Sequence, residues 1–395
     1  TLRDLQSKAD ELGSRNMLNV AKVLEVHVMS LATDRWRDVP YSDAINLGAG
    51  AVNPQYDRQE DIYPALLALL KEVADDWGNN GIGDDDISTG DLLYGGDVEL
   101  WQRYANSLRL RLATRISDVS ASLAKQTIEE IAGNPSKYPI IDDNDDNTFF
   151  WWDANDASRF EPLADAYRTR PGVEFCAPDV MIDNFKANND PRLSKYFEPA
   201  ASDGGYHGYI IGAAANTSPS GMSHWSYKYE QDLGGFSPWY RAAENWFYYA
   251  EAATRGWSVG FTAKAAYEKG VTASMEENDI SAAEISAYLA GAGAFPTGTV
   301  DQQRKKLYYE LWAAMFKQGM EGWSLYRRTG QPDFLYVAPG RAIALQGHHW
   351  GPLRSPYPDT ERNLNTANNK PFNDEVIDDL WGKQMWWDQR TGVNN

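Results

Sequence analysis

Six tryptophans stand outside any clear helical stripe: Trp77, Trp151, Trp152, Trp225, Trp239 and Trp350. Gly, Asn, Asp, Ser or Pro lie close to each, and these residues make loops and supply hydrogen bonds. An indole offers a flat apolar face and a single polar N–H. A sugar ring has the matching character, apolar on its C–H face and ringed by hydroxyls. Loop tryptophans among short polar side chains therefore point to glycan stacking. For any one of them, core packing is an equally good account. That the loops jointly present at least one Trp to a ligand is the stronger expectation.

Other chemistries find less support. In DDNDDN, Asp142, Asn144 and Asp146 occupy calcium-loop positions 1, 3 and 5, but Asn147 replaces the required Gly and Asp153 the closing Glu. A solvated acidic loop is the better reading. His348 and His349 are adjacent, so they point apart, and no third ligand is near. No G-x-S-x-G elbow occurs, and the carboxylates are too numerous to nominate a catalytic pair. The glycines between Gly78 and Gly83 follow a helix and lack the phosphate-loop Lys. Nothing specifies catalysis, a metal or a cofactor.

The 395-residue chain has 43% hydrophobic residues, enough for a sizeable core. It carries 15 Trp and 22 Tyr, more than cores built from aliphatics absorb, so some aromatics belong at the surface. The net charge of −19 argues against nucleic acid and anionic membrane surfaces and favours a neutral ligand. Cys176 is alone, which excludes an intrachain disulfide. The chain begins at Thr1 without Met or signal sequence, as expected for a mature fragment.

The elements that must position these tryptophans are mostly helices. Residues 240–257 place Ala243, Trp246, Phe247, Ala250, Ala253, Thr254 and Trp257 on one face, large rings alternating with alanine. A second helix over 258–270 can approach closely where the alanines lie, which makes this hairpin the expected packing centre. Further helices are predicted over 5–31, 59–77, 98–116, a fourth up to 132, 281–289 and 302–328. Arg109, Arg111 and Arg115 need acidic partners, expected from the Asp-rich neighbouring loops. Residues 134–238 break into short runs, with one brief helix near 178–188. Repeated helix pairs suggest a solenoid of the tetratricopeptide kind, although no clean repeat is visible.

Several stretches also carry a family resemblance. They are DVPYSDAI (38–45), PQYDRQEDIY (54–63), DLLYGGDVELWQRYANSLRLRLATRI (91–116), NDPRL (189–193), AEAATRGW (250–257), YEKGVTASM (267–275), RRTGQP (327–332) and WWD (386–388). In this order they resemble the SusD/RagB-like outer-membrane glycan-binding lipoproteins of Bacteroidetes. The resemblance implies a single mainly α domain over 1–395. Tetratricopeptide-like hairpins form its scaffold at 1–133 and 239–330. An irregular ligand-binding lobe spans 134–238, and residues 331–395 form a loop-rich C-terminal part. It also implies a lipid-anchored cell-surface protein that binds oligosaccharide or polysaccharide without cleaving it and serves a SusC-like TonB-dependent β-barrel transporter. The family's lipidation cysteine and first segment are absent here, so anchoring rests on the resemblance alone. The matching motifs are scaffold, so they carry over no ligand residue. A neutral glycan is expected, with a β-glucan such as laminarin as a working guess. The alternatives are a helical glycoside hydrolase and a tetratricopeptide-type adaptor that binds peptides.

Overall fold

The computed structural model describes residues 2–44, 53–170, 176–210, 219–335, 348, 350–376 and 378–393. Two helices, α1 (Leu2–Leu12) and α2 (Arg15–Trp36), replace the single one expected over 5–31. Gly13 separates them with a φ of +64°, a left-handed conformation that side chains with a Cβ resist. Next come α3 (Gln59–Asn80), α4 (Val98–Arg115) and α5 (Ala121–Gly133). Asp97 starts α4 by accepting hydrogen bonds from the Glu99 and Leu100 backbone N–H groups.

The stretch up to residue 240 is more ordered than its broken sequence suggests. It contains β1 (Thr148–Trp151), α6 (Pro162–Thr169), α7 (Asp179–Ala187), α8 (Leu193–Tyr196), β2 (Phe197–Glu198), β3 (His224–Trp225), α9 (Tyr227–Glu230) and β4 (Phe236–Tyr240). β1 pairs antiparallel with β4, and β2 with β3. Helix α6 and both ribbons were not anticipated. Pro238 lies within β4, opposite Phe149, as the two-stranded ribbon leaves an open edge.

The frame then resumes with α10 (Ala242–Thr254), α11 (Ala263–Glu276), α12 (Ala282–Ala290), α13 (Val300–Ala314) and α14 (Gly319–Thr329). Short helices α15 (Asp359–Leu364) and α16 (Thr366–Asn373) follow in the C-terminal part. Helix α10 and helix α11 form the most intimate hairpin. Gly270 lies inside α11 instead of ending it. A Cβ there would fall 2.9 Å from the Phe247 ring, so the close crossing depends on glycine. The helix expected over 302–328 is two, because Lys317 adopts a φ of +67° in the turn between α13 and α14.

One large core joins α2, α3, α4, α5, α10, α11 and α13. A second core, around Phe185, Tyr196, Phe197, Tyr229, Phe236 and Phe316, fills the stretch between β1 and β4 and rests on α13. The arginines of α4 find acids on helices, not in the loops. Arg111 pairs with Glu244 at 2.7 Å, both buried, while Arg115 meets Asp34 and Glu321. Arg109 pairs with Glu130 at 2.6 Å. Arg103 alone turns to the acidic loop, reaching Asp142 at 3.3 Å and Asp146 at 3.4 Å. Asn144, at position 3 of the calcium-like pattern set aside above, donates to the Ala273 carbonyl at 2.9 Å.

Candidate functional site

The structure sorts the six tryptophans by environment. Trp77 is only 2% exposed and donates its indole N–H to Asn16 Oδ1 at 3.2 Å. It belongs to the core instead of the loop lip, and only its edge reaches a cleft that it lines with Gly78, Gln102 and Arg103. Trp239 stacks on His27 at 4.2 Å with the planes 7° apart. Burial, with Arg111 adding, lowers His27 to about 4, so this partner is neutral. Trp350 packs in the C-terminal part beside Tyr326, with the Arg390 guanidinium over its ring. His348 stacks on Trp381 at 4.3 Å, and His349 lies outside the described residues.

Trp151, Trp152 and Trp225 remain. Strand alternation sends Trp151 and Trp152 to opposite faces of the β1 ribbon. Trp152 is half-buried and donates to Ser237 Oγ at 3.0 Å. Trp151 is 56% exposed and rests on Phe236. From Phe236 a chain of ring contacts runs through Tyr229 and Phe316 to Trp225, each step between 4.8 and 5.8 Å. The exposed Trp151 and the half-buried Trp225 are thus two ends of one aromatic layer.

Trp225 lines a cleft of about 410 Å³. Met315 and Phe316 line it from the α13–α14 turn, Pro178 and Met181 from the start of α7, and Trp312, Trp323 and Tyr326 from α13 and α14. Trp312 and Trp323 fall within the helix expected over 302–328, so neither is singled out with the loop tryptophans. The α13–α14 turn brings them into the cleft. Trp323 is fixed, donating to the Pro352 carbonyl at 2.9 Å while the Arg327 guanidinium covers its ring. The indole N–H groups of Trp225 and Trp312 have no hydrogen-bond partner among the described residues.

Among the described residues the lining contains no carboxylate, and its only cation is Lys317. Lys317 sits 3.1 Å from Glu161, and burial pushes its ammonium below the usual range. Below Trp225, Glu230 is buried with neither oxygen hydrogen-bonded in good geometry. Burial pushes its carboxyl up to about 8, and Glu198 adds to the rise. The arrangement is a weakly charged, three-indole cleft with free donors. It suits a ligand with apolar faces and hydroxyl edges.

Comparison with known proteins agrees with this chemistry. Residues 1–358 match the SusD-like family, described as starch-binding and associating with the outer membrane. Among solved structures, the chain is similar to a chitin-binding protein at 27% identity, over 98% of this chain and 85% of that one, with a TM-score of 0.82. It is also similar to a chitin-binding SusD homolog from Flavobacterium johnsoniae at 25% identity, over 98% and 84%, with a TM-score of 0.82. A SusD homolog from Bacteroides thetaiotaomicron VPI-5482 matches at 25% identity, over 96% and 83%, with a TM-score of 0.77. No match was found among the curated proteins.

Proposed function

The chain belongs to the SusD-like family, and from that premise we propose that it captures a neutral glycan in the cleft between α7, α13 and α14. The observation that carries this is the cleft itself, where Trp225, Trp312 and Trp323 converge on a lining without a carboxylate among the described residues. Sugar rings stack on the indoles, and the unpartnered N–H groups of Trp225 and Trp312 meet hydroxyls. Residues 134–238 act as the binding lobe of a single domain, held by the helical frame. The activity is binding without cleavage, since hydrolysis of a glycosidic bond needs two placed carboxyls.

We place the protein at the outer surface of the outer membrane, held by a lipid anchor and delivering glycan to a SusC-like TonB-dependent β-barrel. No described helix is long and apolar enough to cross a membrane. Import therefore falls to a partner. Affinity electrophoresis against starch, chitin-derived, laminarin and charged polysaccharides tests the reading. Retardation by one neutral polymer, lost in Trp225→Ala, is the expected result. Preference for a charged polymer would overturn the neutral-glycan reading.

A further inference from the structure

A second cleft, of about 390 Å³, follows the aromatic one between the same two helices. Along α7 and the residue after it, Pro178 and Met181 line the first cleft and Asn184 and Asn188 the second. Along α13 the order is reversed, with Trp312 on the first and Tyr309 and Lys306 on the second. The named residues span about 15 Å along α7 and about 9 Å along α13. The wall between the clefts is a ring cluster in which Trp312 lies 6.1 Å from Tyr309 and 5.6 Å from Phe334. The two clefts lie one beyond the other along the same helices, parted by this aromatic step.

The second cleft differs in chemistry. Carboxamides dominate it, from Asn184, Asn188 and Gln331, beside the Tyr309 and Phe334 rings. Its lysines are already neutralised, Lys305 by Asp333 at 2.6 Å and Lys306 by Glu310 at 2.9 Å. Two buried polar atoms, Tyr309 Oη and Gln331 Oε1, have no hydrogen-bond partner in good geometry, the Asn188 side chain being the neighbour that the Tyr309 phenol meets. Buried polar atoms are nearly always paired, so two unpaired ones on residues that line one cleft can be completed by a ligand once those side chains turn towards it. Amide and phenol groups beside aromatic faces can exchange hydrogen bonds with hydroxyls without supplying charge.

We propose that this cleft is a second carbohydrate subsite, which takes a further ring of the glycan held by the aromatic cleft and makes the protein select for chain length. The inference rests on the glycan reading above but concerns different residues. It is tested by calorimetric titration with chitin-, starch- and laminarin-derived oligosaccharides from dimer to heptamer. In the series that binds, affinity should climb with length. Tyr309→Phe and Gln331→Ala should each lower affinity for the long members by about tenfold, the loss from one buried hydrogen-bond partner. Affinity for the shortest bound member should not change. Asn188→Ala, on the opposite helix, gives the same reading if Gln331→Ala fails to fold. Equal loss at all lengths, or no loss at any, overturns the subsite while Trp225→Ala still tests the main cleft. If the unaltered protein binds no oligosaccharide of any length, both readings fall.

Discussion

The packed interior and the clefts treat polar groups in different ways. In the interior, charges are buried in matched sets: Arg111 with Glu244, Arg328 with Glu251, Arg115 with Asp34 and Glu321, and Arg192 with Asp190 and Glu310. At the clefts, Tyr309 and Gln331 each keep a buried polar atom without a partner in good geometry. Paired charges fix the angles between helices, because separating them leaves an ion in a medium that cannot solvate it. Unpaired donors and acceptors stabilise nothing until something arrives to meet them. One region is built to hold a geometry, and the other to use it.

The comparison breaks most sharply at Arg111. Arg111→Ala leaves Glu244 buried without its cation and should destabilise the fold by about 3–5 kcal/mol. Denaturant unfolding measures this. A loss below about 1 kcal/mol would mean that the network does not hold the frame. Acid probes the same region. Burial alone would raise Glu251, but Arg328 and Arg255 outweigh it and hold the carboxyl at about 2, below its ordinary 4.5. The stabilisation is present above pH 4.5 and disappears as the pH falls through 2. The shift is worth about 3 kcal/mol. Glu251→Gln should remove most of that pH dependence from the acid unfolding curve.

The aromatic cleft should respond in binding instead. Trp225→Ala removes one stacking face and one donor, which should weaken glycan affinity by about 1–3 kcal/mol, or roughly tenfold to a hundredfold. Calorimetry gives the affinity and thermal melting the stability. A variant that loses its fold along with its binding would assign Trp225 to the core and erase the contrast between the regions.

These contrasts were legible to different depths in sequence. The 3.6-residue stripes disclosed the frame, including the close approach of α10 and α11. The same rule should have placed Trp77, since it continues the buried series Leu66, Leu70, Val73 and Ala74 on α3. Its loop neighbours, Gly78 and Asn79, outweighed that spacing. Trp312 and Trp323 failed in the other direction: a helical stripe does not say whether its end faces core or cleft. That depends on the α13–α14 turn, where Lys317 adopts a positive φ that its residue type does not announce. The partner of Arg111 lies 133 positions away, and nothing local in the sequence selects Glu244 over other acids. The second cleft was invisible because Asn, Gln and Tyr scattered from 184 to 331 form no motif until α7 and α13 bring them together.

A smaller effect tests whether the buried Glu230 carboxyl costs stability. Glu230 titrates near 8 when folded and 4.5 when unfolded. Below pH 4.5 it is protonated in both states and costs nothing through ionisation. As the pH rises towards 8, the folded state must keep a proton that the unfolded chain gives up, so stability falls. Glu230→Gln should therefore stabilise the protein by about 1–2 kcal/mol at pH 9 and hardly at all at pH 4. Melting temperatures across pH measure the difference. A gain that is flat with pH would show that the carboxyl already has a compensating partner.

Trp151 should show the smallest effect and isolates surface from cleft. Its ring is the exposed end of the aromatic layer that leads through Phe236, Tyr229 and Phe316 to Trp225. Only one face of it rests on the protein, so Trp151→Ala leaves no cavity and should change stability by no more than about 0.5 kcal/mol. The variant should bind short oligosaccharides normally, because the layer below Trp225 remains in place. Any loss should be confined to long polymer, which alone could extend from the cleft to this ribbon. A marked drop in melting temperature would mean that the ribbon helps to hold the fold. A drop in short-oligosaccharide affinity equal to that of Trp225→Ala would move the centre of the site from the cleft to β1.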